Sequence, residues 1–252
     1  MLLLTTFTNA KNQILKTMRK IYTILMLLLA FALQITTAGA QSVKLTFKQL
    51  TNEVYYYGIA EGMKAPNDVR RININMSGKT IIPAELQKFP NLQMLVLSGN
   101  TRKIDWAKAS PEILKLKNLE YIYFQDSTLK AIPAQIFTFT KLKGLAVLNS
   151  SVAVIPAEIS KLVNLEYLLL INNKISTLPV QLTTLKNLKV LYLDGNNISV
   201  FPAQMVNLKK IEELGIAENP VKNEEVKKLR KYYPKAKIVE TYDMPVVEEP
   251  KQ

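Results

Sequence analysis

The chain contains no cysteine and no histidine. Their joint absence excludes Ser-His-Asp and Cys-His nucleophile systems, thiol redox chemistry, disulfide frameworks and the usual zinc sites. Glycine is scarce, with eight residues in 252, and no glycine-rich phosphate loop occurs. Arginine is scarcer, limited to Arg19, Arg70, Arg71, Arg102 and Arg230. Bidentate readout of bases favours arginine, so the net charge of +13 does not by itself point to nucleic acid. No cofactor is implied. Hydrophobic residues make up 48% of the chain, which excludes a disordered polymer.

The N-terminal region reads as an address. Met18-Arg19-Lys20 is basic, Ile24 to Leu33 is an unbroken apolar run, and Ala38-Gly39-Ala40 supplies small residues. This order predicts a secretory signal over residues 1–40, cleaved before Gln41, with Met18 as an alternative start. A membrane span needs about 20 apolar residues, and this run has ten. No second run of spanning length follows. The expected product is exported (periplasmic, cell-surface or secreted) and has no transmembrane anchor. An exported chain without cysteine must rely on its hydrophobic core, which suits a bacterial product.

Internal repetition dominates the rest. Val69, Leu92, Leu119, Leu142, Leu165, Leu188 and Ile211 open successive units, spaced 23 residues apart except for one interval of 27. In the unit from Leu165 the apolar positions are Leu165, Leu168, Leu170, Ile175, Leu178, Leu182 and Leu185. The next unit repeats them as Leu188, Leu191, Leu193, Ile198, Phe201, Met205 and Leu208. Alternation around Leu168 and Leu170 predicts a short strand. The spacing of four and three from Leu178 to Leu185 predicts a helical turn or two. A proline near its start (Pro83, Pro133, Pro156, Pro179, Pro202) costs little there. One such unit cannot bury enough surface to fold alone, so stability must come from stacking.

These residues closely resemble the leucine-rich repeat family in its 23-residue leucine-proline subtype. The resemblance covers residues 69–240. It implies a right-handed α/β solenoid with a parallel sheet on its concave face and short helical or 3-10 segments on the convex side. It also implies a buried asparagine ladder at the ninth position of each repeat. Asn100, Asn173, Asn196 and Asn219 match; Ser77, Ser127 and Ser150 stand there in three repeats, where a hydroxyl offers one donor instead of two. Residues 41–68 lack the period and are expected to cap the N-terminal end. A cap from about residue 221 is expected to comprise a helix over 224–233 and a strand within 235–240, with residues 241–252 as a flexible tail.

Strand alternation turns the third, fifth and seventh positions outward. There the middle repeats carry Tyr121, Tyr123, Leu148, Tyr167, Leu169, Ile171 and Tyr192, with Gly144 and Ala146 leaving a shallow depression between the rings. Exposed aromatic and aliphatic side chains together point to an interface. By analogy with the family, these seven residues are expected to hold a protein partner. A carbohydrate or cell-envelope ligand stacked on the tyrosines is the alternative.

The second positions alternate Glu120, Lys143, Glu166, Lys189 and Glu212, which reads as a surface charge ladder worth about 0–1 kcal/mol per pair. The four extra residues of the second repeat fall within 101–110 and include Trp106, the only tryptophan; they read equally as a contact loop or as core filler. The basic run 227–231 reads as a solvated helix face, or as a touch point for anionic envelope polymers or lipids. An enzyme is not expected. Asp126 and Asp194 stand three repeats apart, about 14 Å at strand spacing, beyond the about 5–9.5 Å of a glycosidase pair.

Overall fold

The computed structural model describes residues 47–240. The expected signal segment and tail lie outside them. The chain divides into two units, with the boundary after Val54. Of the first unit, helix α1 (Phe47–Asn52) is described. The second begins at Tyr55.

Among the described residues, nine strands form one parallel sheet in sequence order. They are β1 (Tyr56–Tyr57), β2 (Arg71–Asn75), β3 (Met94–Ser98), β4 (Tyr121–Gln125), β5 (Gly144–Leu148), β6 (Tyr167–Leu169), β7 (Val190–Tyr192), β8 (Glu213–Gly215) and β9 (Lys237–Val239). The register reproduces the sequence period. Leu95 pairs with Ile122, Ile122 with Leu145, Leu145 with Leu168, Leu168 with Leu191, and Leu191 with Leu214. This row is wholly buried. A shift by one residue would turn it to the opposite face, which is why the register is so uniform.

Behind the sheet runs a layer of 3-10 segments: Ala84–Lys88, Ala134–Thr138, Ala157–Lys161, Val180–Thr184 and Ala203–Asn207. Each follows one of the repeat prolines. The proline carbonyl accepts from the N–H three residues on, as in Ile136 to Pro133 at 2.9 Å and Leu182 to Pro179 at 3.0 Å. Proline's missing N–H costs nothing at that edge. The tighter 3-10 coil is enough to drop one side chain per segment, such as Ile159, Leu182 or Met205, into the core. Strand and segment residues join in one continuous core cluster from Val69 to Tyr233. Right-handed strand, turn and 3-10 return make this a leucine-rich repeat solenoid in architecture.

The second repeat departs from the rest. Its extra residues build helix α2 (Trp106–Leu114) in place of a 3-10 segment. Asp105 caps α2, its side chain accepting from the Lys108 N–H. The insertion is absorbed behind the sheet, so β3 and β4 still pair in full register. At the far end, helix α3 (Asn223–Tyr232) drops Val226 and Leu229, with Tyr233 after it, into the core, and β9 pairs with β8. The Tyr233 hydroxyl donates to the Met205 carbonyl.

The ninth-position ladder forms in the C-terminal repeats. Asn196 donates from Nδ2 to the Leu170 and Leu193 carbonyls, both at 2.7 Å, while its Oδ1 accepts from the Ile175 N–H at 3.0 Å. Asn173 and Asn219 do the same one coil to either side. Ser127 and Ser150 satisfy each other instead, Oγ to Oγ at 2.7 Å. Asn100 does not join. Its Oδ1 accepts from the Arg102 N–H and the Thr128 hydroxyl, and the buried Thr101 reaches the Ser127 carbonyl in its place. The reason is the insertion, which redirects the chain directly after Asn100 into a 3-10 turn, Thr101–Lys103.

Candidate functional site: the outward face of the sheet

The sheet face turned away from the 3-10 layer carries the third, fifth and seventh positions. In the middle of it the structure brings together the seven residues expected from the sequence, on consecutive strands β4 to β7 and the residues just after them. Their exposure differs from expectation. Tyr121, Leu169, Ile171 and Tyr192 are buried, at 2%, 2%, 3% and 7% exposure, and only Tyr123, Leu148 and Tyr167 are half-buried. Met94, Val96 and Ala146 on the same face are buried as well. None of these seven buried side chains belongs to the core cluster on the other side of the sheet. The sheet therefore carries a second apolar layer.

Ring orientation supplies the physical reason. The expectation placed strand side chains upright, with Gly144 as an empty depression between them. Instead, the Tyr121 ring lies along the sheet over Gly144, so closely that a Cβ on that glycine would collide with the ring edge. The ring then meets Tyr167, centroid to centroid 6.3 Å, tilted by 52°. Tyr192 lies likewise against Gly215, where a Cβ would stand 2.8 Å from its Cδ1 and closer still to the Asp194 carboxylate. Its hydroxyl donates to Glu213 on the next strand. The glycine spaces are filled by rings from the preceding strand, as aromatic side chains rescue glycine in other sheets. Leu169 sits in register between Ala146 and Tyr192, within the same layer.

The electrostatics follow from that packing. Burial raises the phenols of Tyr121 and Tyr123 well above their ordinary 10.0, and neighbouring tyrosines add to it. Burial also raises Tyr167, with Glu166 contributing. At the N-terminal end of the face, the guanidinium of Arg71 stacks 4.3 Å from the Tyr55 ring centroid. The Tyr55 phenol is pushed up to about 12, by burial first, against the opposing pull of Arg71. These phenols are neutral hydrogen-bonding groups at physiological pH.

Along the start of the strands the charge ladder closes as pairs. Lys143 reaches Glu120 at 3.1 Å and Lys189 reaches Glu166 at 2.6 Å. The hydrogen bond to Glu166 raises the Lys189 ammonium pKa.

At the opposite end of the strands lies a feature that the sequence reading missed. The eighth residue of each repeat from the second on has a left-handed backbone: Gly99, Asp126, Asn149, Asn172, Gly195 and Glu218, with φ of 76°, 51°, 52°, 55°, 66° and 55°. The signal was present in the residue types, since glycine, asparagine and aspartate are those that tolerate this conformation. A second missed row is the asparagine that closes a repeat. Asn118, Asn164 and Asn187 each donate to a carbonyl of the preceding coil, Pro90, Thr140 and Val163 respectively.

The insertion resolves toward core filling. Ile104 is buried, and Trp106 packs on the core with its ring edge-on to Phe124 at 5.6 Å. Beside it, Arg102, Trp106, Leu129, Lys130 and Gln135 border an open cleft of about 530 Å³. Among the described residues no group of side chains could hold a metal ion, and no helix is long and apolar enough to cross a membrane.

Comparisons with known proteins agree with this architecture. Residues 164–221 match the leucine rich repeat family model. No curated protein matches the chain. Among solved structures, a leucine-rich repeat protein of Leptospira interrogans is similar at 26% identity and a TM-score of 0.54, over 75% of this chain and 53% of that one. An internalin of Listeria monocytogenes aligns at 16% identity and 0.52, over 71% and 51%. Internalin C2 of the same organism aligns at 21% and 0.51, over 76% of each chain. The chain thus spans about half the length of the first two. Period, register and these likenesses converge on one statement: residues 164–221 carry leucine-rich repeats, and the fold from Tyr55 on is that of a leucine-rich repeat solenoid.

Proposed function

We propose that the chain is an exported, non-catalytic binding module that holds a protein partner on the outward face of its sheet. The observation that carries this reading is the second apolar layer. A sheet face meant only for water needs no row of tyrosine, leucine, isoleucine and valine in register across strands β3 to β7. Half-buried Tyr123, Leu148 and Tyr167 are the proposed contact residues. Tyr121, Leu169, Ile171 and Tyr192 form the floor that fixes them. Rigid tyrosines present large contact area at low entropic cost, which suits a hot spot. Leucine-rich repeat proteins typically mediate protein–protein interaction, and the bacterial neighbours favour an exported, surface or secreted setting.

The test is capture of a partner by the immobilised chain, identified by mass spectrometry. The doubly substituted Tyr123→Ala, Tyr167→Ala chain should keep its circular dichroism spectrum and lose the partner. Undiminished capture would move the site elsewhere. Binding on a polysaccharide array in place of a protein would replace the partner by a glycan.

A further inference from the structure

Charge is segregated across the coil. Between Val69 and Asn219, the first nine positions of the seven repeats hold four basic and seven acidic residues. The remaining positions, in the loops and behind the sheet, hold fourteen basic and four acidic. The asymmetry is sharpest in the last four positions of the six repeats that precede another, which contain eight lysines and no acid. Large exposed apolar side chains are segregated in the same direction. Within the repeats, Ile81, Leu114, Val154, Val163, Val180 and Val200 all lie outside the strands.

The return segments of consecutive coils form one continuous row. Asn187 donates to the Val163 carbonyl at 3.1 Å, and its own Oδ1 accepts from Lys210 Nζ at 2.9 Å. Lys186 Nζ reaches the Asn207 carbonyl at 3.4 Å, and Asn164 donates to the Thr140 carbonyl at 2.8 Å. These contacts place Lys141, Lys161, Val163, Lys186, Lys209 and Lys210 side by side, all exposed. None of the five lysines forms an ion pair among the described residues.

We infer that this return edge docks on an anionic lipid surface. Stacked lysines repel one another at coil spacing, and an anionic surface relieves all of them at once. A soluble polyanion would satisfy the charge equally well. The apolar component favours lipid: Val163 is 55% exposed beside the lysines, and a bilayer interface buries it while receiving the ammonium groups at headgroup level, which a soluble polyanion does not. The site is independent of the sheet face, so a membrane-docked chain would keep its proposed partner surface.

The absence of cysteine makes the test clean. The full chain carrying Val163→Cys takes a single environment-sensitive fluorophore at that position. It is mixed with vesicles of phosphatidylcholine alone, or of phosphatidylcholine with phosphatidylglycerol. The expected result is a blue shift and gain of emission on the anionic vesicles alone, reversed by high salt. The further substitutions Lys141→Gln, Lys186→Gln and Lys209→Gln should weaken that response roughly 100-fold, at about fivefold per lysine. No response on anionic vesicles, an equal response on neutral ones, or vesicle binding that leaves the probe unchanged would each overturn the inference. So would polyphosphate binding without vesicle binding.

Discussion

Asn149 donates from Nδ2 to Oδ1 of Asp126 at 2.8 Å, and Asn172 repeats the bond to Asn149 one coil later, also at 2.8 Å. The run of amides thus ends on a carboxylate, and each member sits on a left-handed backbone. Gly195 continues the row without a side chain, and a Cβ there would collide with the Asn172 Oδ1. Gly195→Ala should therefore destabilise by about 1–2 kcal/mol for the backbone alone, and more if the amide is displaced. Chemical denaturation measures it; an unchanged midpoint would disprove the tight fit.

The buried ladder makes a graded prediction. Asn196→Ala strands two carbonyls and one N–H among buried groups, each costing about 1–3 kcal/mol. A loss of at least ~3 kcal/mol is expected, given partial relaxation. Ser150→Ala removes the hydroxyl pair with Ser127 and a long bond of 3.4 Å to the Leu148 carbonyl, and should cost about 1 kcal/mol. Equal losses at the two positions would contradict the ladder's uneven strength.

Ring and glycine are coupled on the outward face. Gly144→Ala pushes a methyl into the Tyr121 ring and should cost about 1–3 kcal/mol, as overpacking does. In a Tyr121→Ala background the same change should cost little, because the collision is gone. A double-mutant cycle reads the coupling, and strictly additive losses would show that the ring does not rest on the glycine.

Alkaline pH should unfold the chain. Tyr55, Tyr121, Tyr123 and Tyr233 all ionise above their ordinary 10.0 when folded, burial being the first cause in each. A raised folded pKa means the native state holds protons that the unfolded chain releases. The associated stability is complete below pH 10 and is lost as pH rises from 10 toward 12 and beyond. Melting temperature against pH, with tyrosinate absorbance recorded in parallel, checks this. Native tyrosinates all forming near pH 10 would refute the burial of the rings.

Much of the architecture was legible because stacking repeats one local solution. The apolar residues of positions four and six, the proline before five of the returns and the 23-residue interval define strand, turn and 3-10 segment locally, and each neighbour imposes the same register. The family resemblance rested on those same residues. The helix over Trp106–Leu114 was not legible as a helix, since four inserted residues break the period without announcing a replacement. Nor was the failure of Asn100 to join the ladder, which depends on where the inserted chain turns next.

The candidate site was legible as a set of residues and not as a surface. Alternation alone put Tyr121, Tyr123, Leu148, Tyr167, Leu169, Ile171 and Tyr192 on one face, because side-chain direction in a strand is a local property. Whether those side chains stand up or lie down is decided between strands. Tyr121 and Tyr192 lie down because the facing residue one coil on, Gly144 or Gly215, has no Cβ to hold a ring upright. The same holds for charge: the lysines were readable one by one, but only the stacking of the coils gathered them into a single edge.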